Sequence, residues 1–227
     1  MTYPKNPDTI IVKNQFYPKG LTEKMIYNYY MQHKNLIMNQ VRNRDVMFAI
    51  MPEVNKPVLR RKISGKTIKL TNSNYGNIIT GRTITIYSIM GFYEDFVIVD
   101  IDADKFDIAK DVVRDVYPLL INIPNIFSCE IRYTGKVGFH LKCHLMRKMR
   151  IDDAKEMIQN HLMKTDITKK YTIAPKRTKG TPNIDLWASN KKNGAFITLN
   201  SLSIIGLKCM QILQKDFQKF RAIDAKI

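Results

Sequence analysis

Apolar residues recur along the chain with two spacings, every third or fourth position in some stretches and every second in others. The first spacing marks helices and the second half-buried strands. A helix is predicted from about Thr22 to Met38, with Thr22 as its cap and Met25, Ile26, Tyr29, His33 and Leu36 near one face. Pro52 and Pro57 break the chain, and residues 58–90, rich in Ile, Thr and Lys and punctuated by Gly65, Gly76 and Gly81, read as short strands and turns. The clearest strand is 96–102, Phe-Val-Ile-Val-Asp-Ile-Asp. A helix follows over 106–120, with Ile108, Val112, Val116, Leu119 and Leu120 inward. A hairpin spans about 128–145 and turns at Gly135-Lys136-Val137-Gly138. Asp152 and Asp153 open another helix, whose stripe is Ala154, Met157, Ile158, His161 and Leu162. Strands are expected near 183–188 and 195–199, then a helical tail from Leu202 to Phe220 with Met210, Leu213, Phe217 and Phe220 in phase.

From residue 96 the order is strand, helix, strand, strand, helix, strand, the βαββαβ pattern of ferredoxin-like and RRM-like folds. The fold class is therefore α/β in the mixed, α+β sense. One domain over 1–227 is expected, with an N-terminal α/β module over about 1–90 and an RRM-like module over about 91–227. Lys and Arg total 37 against 20 Asp and Glu, a formal charge of +17, while 44% of residues are apolar. That apolar share excludes a disordered basic tail, and no window holds the roughly 18 unbroken apolar residues of a membrane span. Met1-Thr2-Tyr3-Pro4-Lys5 lacks the apolar run of a secretory signal, so an intracellular protein without a membrane partner is expected. A strongly basic folded protein points to a polyanion, with nucleic acid first. Cys129, Cys143 and Cys209 include no C-x2-C pair, so neither a disulfide nor a structural zinc is expected.

Three features carry chemistry. Asp100 and Asp102 lie two apart on an apolar strand, hence on one face, where like charges repel unless a cation such as Mg2+ or Mn2+ sits between them. A solvated acidic turn continuing through Asp104 and Asp107 is the plainer alternative. The turn Thr134-Gly135-Lys136-Val137-Gly138 offers backbone N–H groups and a cation to phosphates, with His140, Lys142 and His144 following on one face; an ordinary glycine hairpin is again the alternative. Asp185 sits in the short apolar strand Asn183-Ile184-Asp185-Leu186-Trp187, after the basic run Lys176-Arg177-Thr178-Lys179. A third acid beside the first two would complete a two-metal cage; singly, such an Asp is more often a cap or ion-pair partner.

The order of these elements resembles the three motifs of the archaeo-eukaryotic primase superfamily: Val99-Asp100-Ile101-Asp102, then Thr134 to His140, then Ile184-Asp185. Phe16-Tyr17-Pro18-Lys19-Gly20-Leu21-Thr22 with Asn28-Tyr29-Tyr30, and later Trp187 with Ser189-Asn190 and Ser201-Leu202, are similar to the polymerase domain of bacterial end-joining DNA ligases and its stand-alone archaeal relatives. The resemblance implies the primase fold and template-directed addition of NTPs or dNTPs to a 3′-OH, in priming or DNA repair. It implies two Mg2+ or Mn2+ ions on Asp100, Asp102 and Asp185, and no zinc. Thr134, Gly135, Lys136 and His140 would bind the nucleotide, with Lys176, Arg177 and Lys179 as further cations. Lys13, Lys19 and Lys24 would contact a DNA template-primer. A separate ligase, helicase or primase large subunit would be a further partner. Val137 stands where the repair branch carries lysine, and Ser203 where it carries arginine; Lys191 and Lys192 are substitute cations. Those departures keep one rival open, a non-catalytic RRM-like nucleic-acid binder; a metal-dependent nuclease using the same acid cluster is a third reading.

Overall fold

A computed structural model describes residues 6–175 and 180–227. Two compact units are present. The first runs to Ile89 and takes back Ile197–Met210 and Arg221–Ile227; the second comprises Met90–Phe196 and Gln211–Phe220.

The first unit opens with a hairpin of β1 (Ile10–Asn14) and β2 (Tyr17–Thr22), followed by α1 (Glu23–Gln32) and α2 (Lys34–Gln40). The Thr22 side chain accepts from Met25 N–H at 3.3 Å, satisfying one N-terminal donor of α1 as expected. The single long helix of the sequence reading is instead two, parted at His33. Ile26, Tyr29 and Tyr30 face inward, while Met25 and Leu36 are exposed. Strands β3 (Asp45–Glu53), β4 (Lys56–Arg60), β5 (Lys62–Ile63) and β6 (Lys66–Lys69) precede the short α3 (Tyr75–Ile78) and β7 (Thr83–Ile89). The sheet order is β7-β3-β6-β5, and β4 also pairs with β3. Ser201, fully buried, accepts from Ile86 N–H at 2.6 Å and ties the returning segment to β7.

The second unit follows the expected order with β8 (Tyr93–Asp102), α4 (Phe106–Ile121), β9 (Ile126–Tyr133), β10 (Phe139–Arg150), α5 (Ile151–Met163), β11 (Thr172–Ile173) and β12 (Asn183–Asp185); β13 (Ala195–Ile197) and β14 (Met210–Ile212) straddle the points where the chain changes unit. Its sheet runs β11-β12-β8-β10-β9-β14. The core stretch β12-β8-β10-β9 is the 4-1-3-2 order of a ferredoxin-like sheet. Phe106 of α4 meets Tyr133 edge to face and Phe139 at a tilt, both centroids 5.6 Å away, which fixes α4 on the face shared by Phe139, Leu141, Val99 and Ile101. The inward stripe of α4 is Ala109, Val112, Val113, Val116 and Leu120; Ile108 is exposed and Leu119 only half-buried.

Two further expectations are corrected. Residues 202–220 form no α-helix: Leu202 bridges Lys208, β14 follows, and Gln214–Asp216 is one 3-10 turn. Lys110 Nζ binds the carbonyls of Gln218 and Phe220 at 3.0 and 3.1 Å, and Phe217 and Phe220 join the ring cluster of Phe106, Tyr133 and Phe139. Tertiary contacts thus override the helical periodicity. Cys129 and Cys143 form a disulfide, because the β9–β10 register sets them directly opposite with Cα atoms 4.1 Å apart. No described helix is long and apolar enough to cross a membrane.

Candidate functional site

Strand pairing assembles the site. Asp100 on β8 is paired with Asp185 of β12 on one side and with His140 of β10 on the other, and His140 is paired with Arg132 of β9. Directly opposed residues share a face. Asp185, Asp100, His140 and Arg132 therefore form one row across four strands, on the face away from α4. Asp102 joins them two residues beyond Asp100 and pairs with Asn183.

Each member is held by its local sequence. Four buried apolar residues before Asp100, Phe96 to Val99, fix the depth of β8. Where β12 ends, the fully buried Asn190 takes over: its amide accepts from Ile98 N–H at 2.9 Å and donates to the carbonyls of Ile98 and Leu186. The Asp185 carboxylate accepts from the N–H groups of Trp187 and Ala188 at 2.6 and 3.0 Å. The hairpin turn closes on itself, Thr134 donating both its N–H and its hydroxyl to Gly138 O at 3.1 and 2.9 Å. Gly135 takes φ +85°, a left-handed conformation that only glycine adopts at no cost. Gly138 lies so close to β8 that a Cβ there would fall 2.5 Å from Ile101 O and 3.5 Å from Asp102 Oδ1. The second glycine of the motif thus docks the hairpin against the strand that carries the acids.

The electrostatics of the row are set by burial and by neighbouring charge. Burial pushes the Asp185 carboxyl up, and the charge of Asp100 adds to it against the two N–H groups that lower it. His140 is 5% exposed, with Nε2 3.5 Å from Asp100 Oδ1 and Nδ1 without a hydrogen-bond partner. Three carboxylates are the hard oxygen donors that Mg2+ or Mn2+ prefers, and a cation would relieve the repulsion between Asp100 and Asp185. As placed, the side chains do not converge into a finished cage: among the described residues no group of three or more His, Cys, Asp or Glu could hold a metal.

The other expected residues are spread more widely. Thr134 is half-buried, Gly135 buried and Lys136 exposed. Lys176, Arg177 and Lys179 lie outside the described residues. Lys191 and Lys192 are exposed, and Lys191 acts on Asp185 through its charge. Lys13, Lys19 and Lys24 are exposed on β1, β2 and α1 of the first unit. Sequence reading missed Glu130 and Arg132. Arg132 binds Glu130 Oε2 through Nε and Nη2 at 2.8 and 2.5 Å, and Glu130 Oε1 meets His144 Nε2 at 2.7 Å. Burial pushes the Glu130 carboxyl up, but the His144 hydrogen bond and the Arg132 charge hold it down at about 2. Their alternation on one strand was the available signal; the β9–β10 register that sets them beside His140 was not readable.

No protein-family model and no curated protein matches the chain. Among solved structures, the chain is similar to the polymerase domain of Mycobacterium tuberculosis Ligase D, determined in complex with DNA. The TM-score is 0.78 at 14% identity, over 97% of this chain and 90% of that one. The likeness is one of fold, and the fold is the mixed α+β primase fold that the sequence resemblance implies.

Proposed function

We propose that the chain is a template-directed nucleotidyltransferase, a DNA polymerase or primase that adds nucleotides to a 3′-OH in DNA repair or priming. The observation that carries this reading is the register row Asp185–Asp100–His140, with Asp102 alongside, in a fold like that of a DNA-bound polymerase domain. Asp100, Asp102 and Asp185 would hold two divalent ions. The chemistry supplied by such a centre is activation of the 3′-OH and neutralisation of the pyrophosphate leaving group. The protein's own part is positional. Asp185 keeps one carboxylate oxygen on the N–H groups of Trp187 and Ala188, which leaves the other for a metal. His140, whose buried Nδ1 has no hydrogen-bond partner in the protein, would offer that nitrogen to phosphate. The turn from Thr134 to Gly138 fixes His140 against the Asp102 strand end. The basic residues of a +17 chain bind the template and primer backbones, an attraction that weakens steeply with salt. NTP against dNTP preference follows from contacts to the sugar and is a matter for the same assay.

The test is nucleotide incorporation on a primer–template with Mn2+, comparing wild type with Asp100→Ala/Asp102→Ala. Extension by wild type and none by the variant is expected; the same lack of extension in both overturns the reading. One observation favours a second reading, a non-catalytic nucleic-acid binder: the acids do not form a finished metal cage. Melting temperature separates the two, since a catalytic centre is stabilised by Mn2+ with nucleotide and a plain binder is not.

A further inference from the structure

His140 and Arg132 are direct partners across β10 and β9, and both are almost wholly withdrawn from water, 5% and 4% exposed. The protein leaves both incompletely paired. His140 Nδ1 has no partner. A guanidinium carries five N–H donors in a planar fork. Arg132 directs Nε and Nη2 at a single oxygen of Glu130, and among the described residues no hydrogen bond reaches Nη1. The other oxygen of Glu130 is engaged by His144. Buried polar groups are paired in the great majority of cases, so the orphaned His140 Nδ1, beside a guanidinium with a donor to spare, marks this sheet face as a place for an acceptor from outside the protein, with the ring proton on Nδ1.

The row supplies the polarity of that acceptor. Strands lie about 4.8 Å apart, so the four positions from Asp185 to Arg132 span roughly 14 Å. Two carboxylates stand at one end, and an imidazole and a guanidinium at the other. A metal-bound polyphosphate has the same polarity, cation toward the acids and terminal oxygens toward the donors. The planar fork suits phosphate oxygens, which it can bind with two hydrogen bonds at once.

We propose that Arg132 holds the terminal phosphates of a nucleoside triphosphate beside His140, one edge of its fork fixed by Glu130 and the other turned to the ligand. Naming the anion a triphosphate rests on the polymerase reading; the anion site itself stands on the unfilled donors.

Inorganic tripolyphosphate with Mn2+ is the probe, titrated by calorimetry and thermal shift against wild type, Arg132→Gln, Arg132→Lys and Glu130→Gln. Arg132→Gln is expected to bind at least about tenfold more weakly. Arg132→Lys falls between it and wild type. Glu130→Gln, which leaves the guanidinium in place, binds as tightly as wild type or more tightly. Were the pair only structural, Arg132→Gln and Glu130→Gln would lose affinity alike, and that outcome overturns the proposal, as does unchanged affinity in Arg132→Gln. Should Arg132→Gln melt too low to titrate, Arg132→Gln/Glu130→Gln replaces the ion pair by two neutral amides and carries the same expectation. In primer extension the loss appears in KM for the nucleotide, with kcat largely kept. Wild type that extends primers while Arg132→Gln keeps its KM overturns this proposal alone. Wild type that binds tripolyphosphate through Arg132 yet never extends a primer overturns the polymerase reading alone.

Discussion

Gly138→Ala tests whether the hairpin and the acid-bearing strand form one rigid assembly. The added Cβ would sit 2.5 Å from Ile101 O and 3.5 Å from Asp102 Oδ1. Ordinary contact between such atoms begins near 3.4 Å, so the turn and the end of β8 must separate by roughly 1 Å. Overpacking of this kind costs about 1–3 kcal/mol. Neither side yields easily, since the turn is closed by both Thr134 hydrogen bonds and β8 is paired on both edges. A displacement of 1 Å between catalytic groups costs on the order of a hundredfold in rate. Gly138→Ala is therefore expected to stay folded, melt at lower urea, and incorporate nucleotides about a hundredfold more slowly. Gly76→Ala is the control: nothing lies within 4 Å of its Cβ position, and it is in α3, where alanine gains roughly 0.5–1 kcal/mol. Urea denaturation and single-turnover incorporation measure the two effects. Gly138→Ala with the stability and turnover of wild type would refute the docking role of this glycine and, with it, the rigid link between His140 and Asp102.

Two more outcomes follow from pairing. Asn190→Ala strands the Ile98 N–H and the carbonyls of Ile98 and Leu186 in a fully buried place and should cost about 2–4 kcal/mol in urea denaturation, Asn190→Asp more, because a carboxylate would face two carbonyls; a loss under about 0.5 kcal/mol contradicts the edge-capping role. Glu130, lowered from 4.5 to about 2 in the folded protein, contributes stability that is fully present above pH 4.5 and lost as the pH falls toward 2, up to about 3 kcal/mol. Acid titrations of stability should show Glu130→Gln losing correspondingly less than wild type over that window, and parallel acid limbs would rule the ion pair out as its cause.

What was legible in the sequence was what runs along a single strand or helix. The run Phe96–Val99 ahead of Asp100 showed a buried strand because its apolar residues are contiguous, and the period of two put Asp100 and Asp102 on one face without knowledge of any neighbour. The hairpin turn at residues 135–138 was equally local, set by its two glycines. The failures come from contacts between distant segments. Met210, Leu213, Phe217 and Phe220 keep helical phase, yet Lys110 holds the carbonyls of Gln218 and Phe220. Cys129 and Cys143 stand 14 residues apart and meet only through the β9–β10 register.

The same division explains the site. Every residue of the Asp185–Asp100–His140–Arg132 row comes from a different strand, so its composition is a property of pairing. The first three were found because a motif order links them; Arg132 belongs to no motif and surfaced only in the row, with Glu130 as its ion-pair partner. A net charge of +17 says that the molecule attracts polyanions but places none of its charges. The row does place them: acids gather on β8 and β12, while the buried guanidinium stands across His140 on β9, with a donor that no described residue fills. Sheet register, which no single-strand pattern encodes, is therefore what turns a generally basic chain into one with a polarised place for a metal-bound anion.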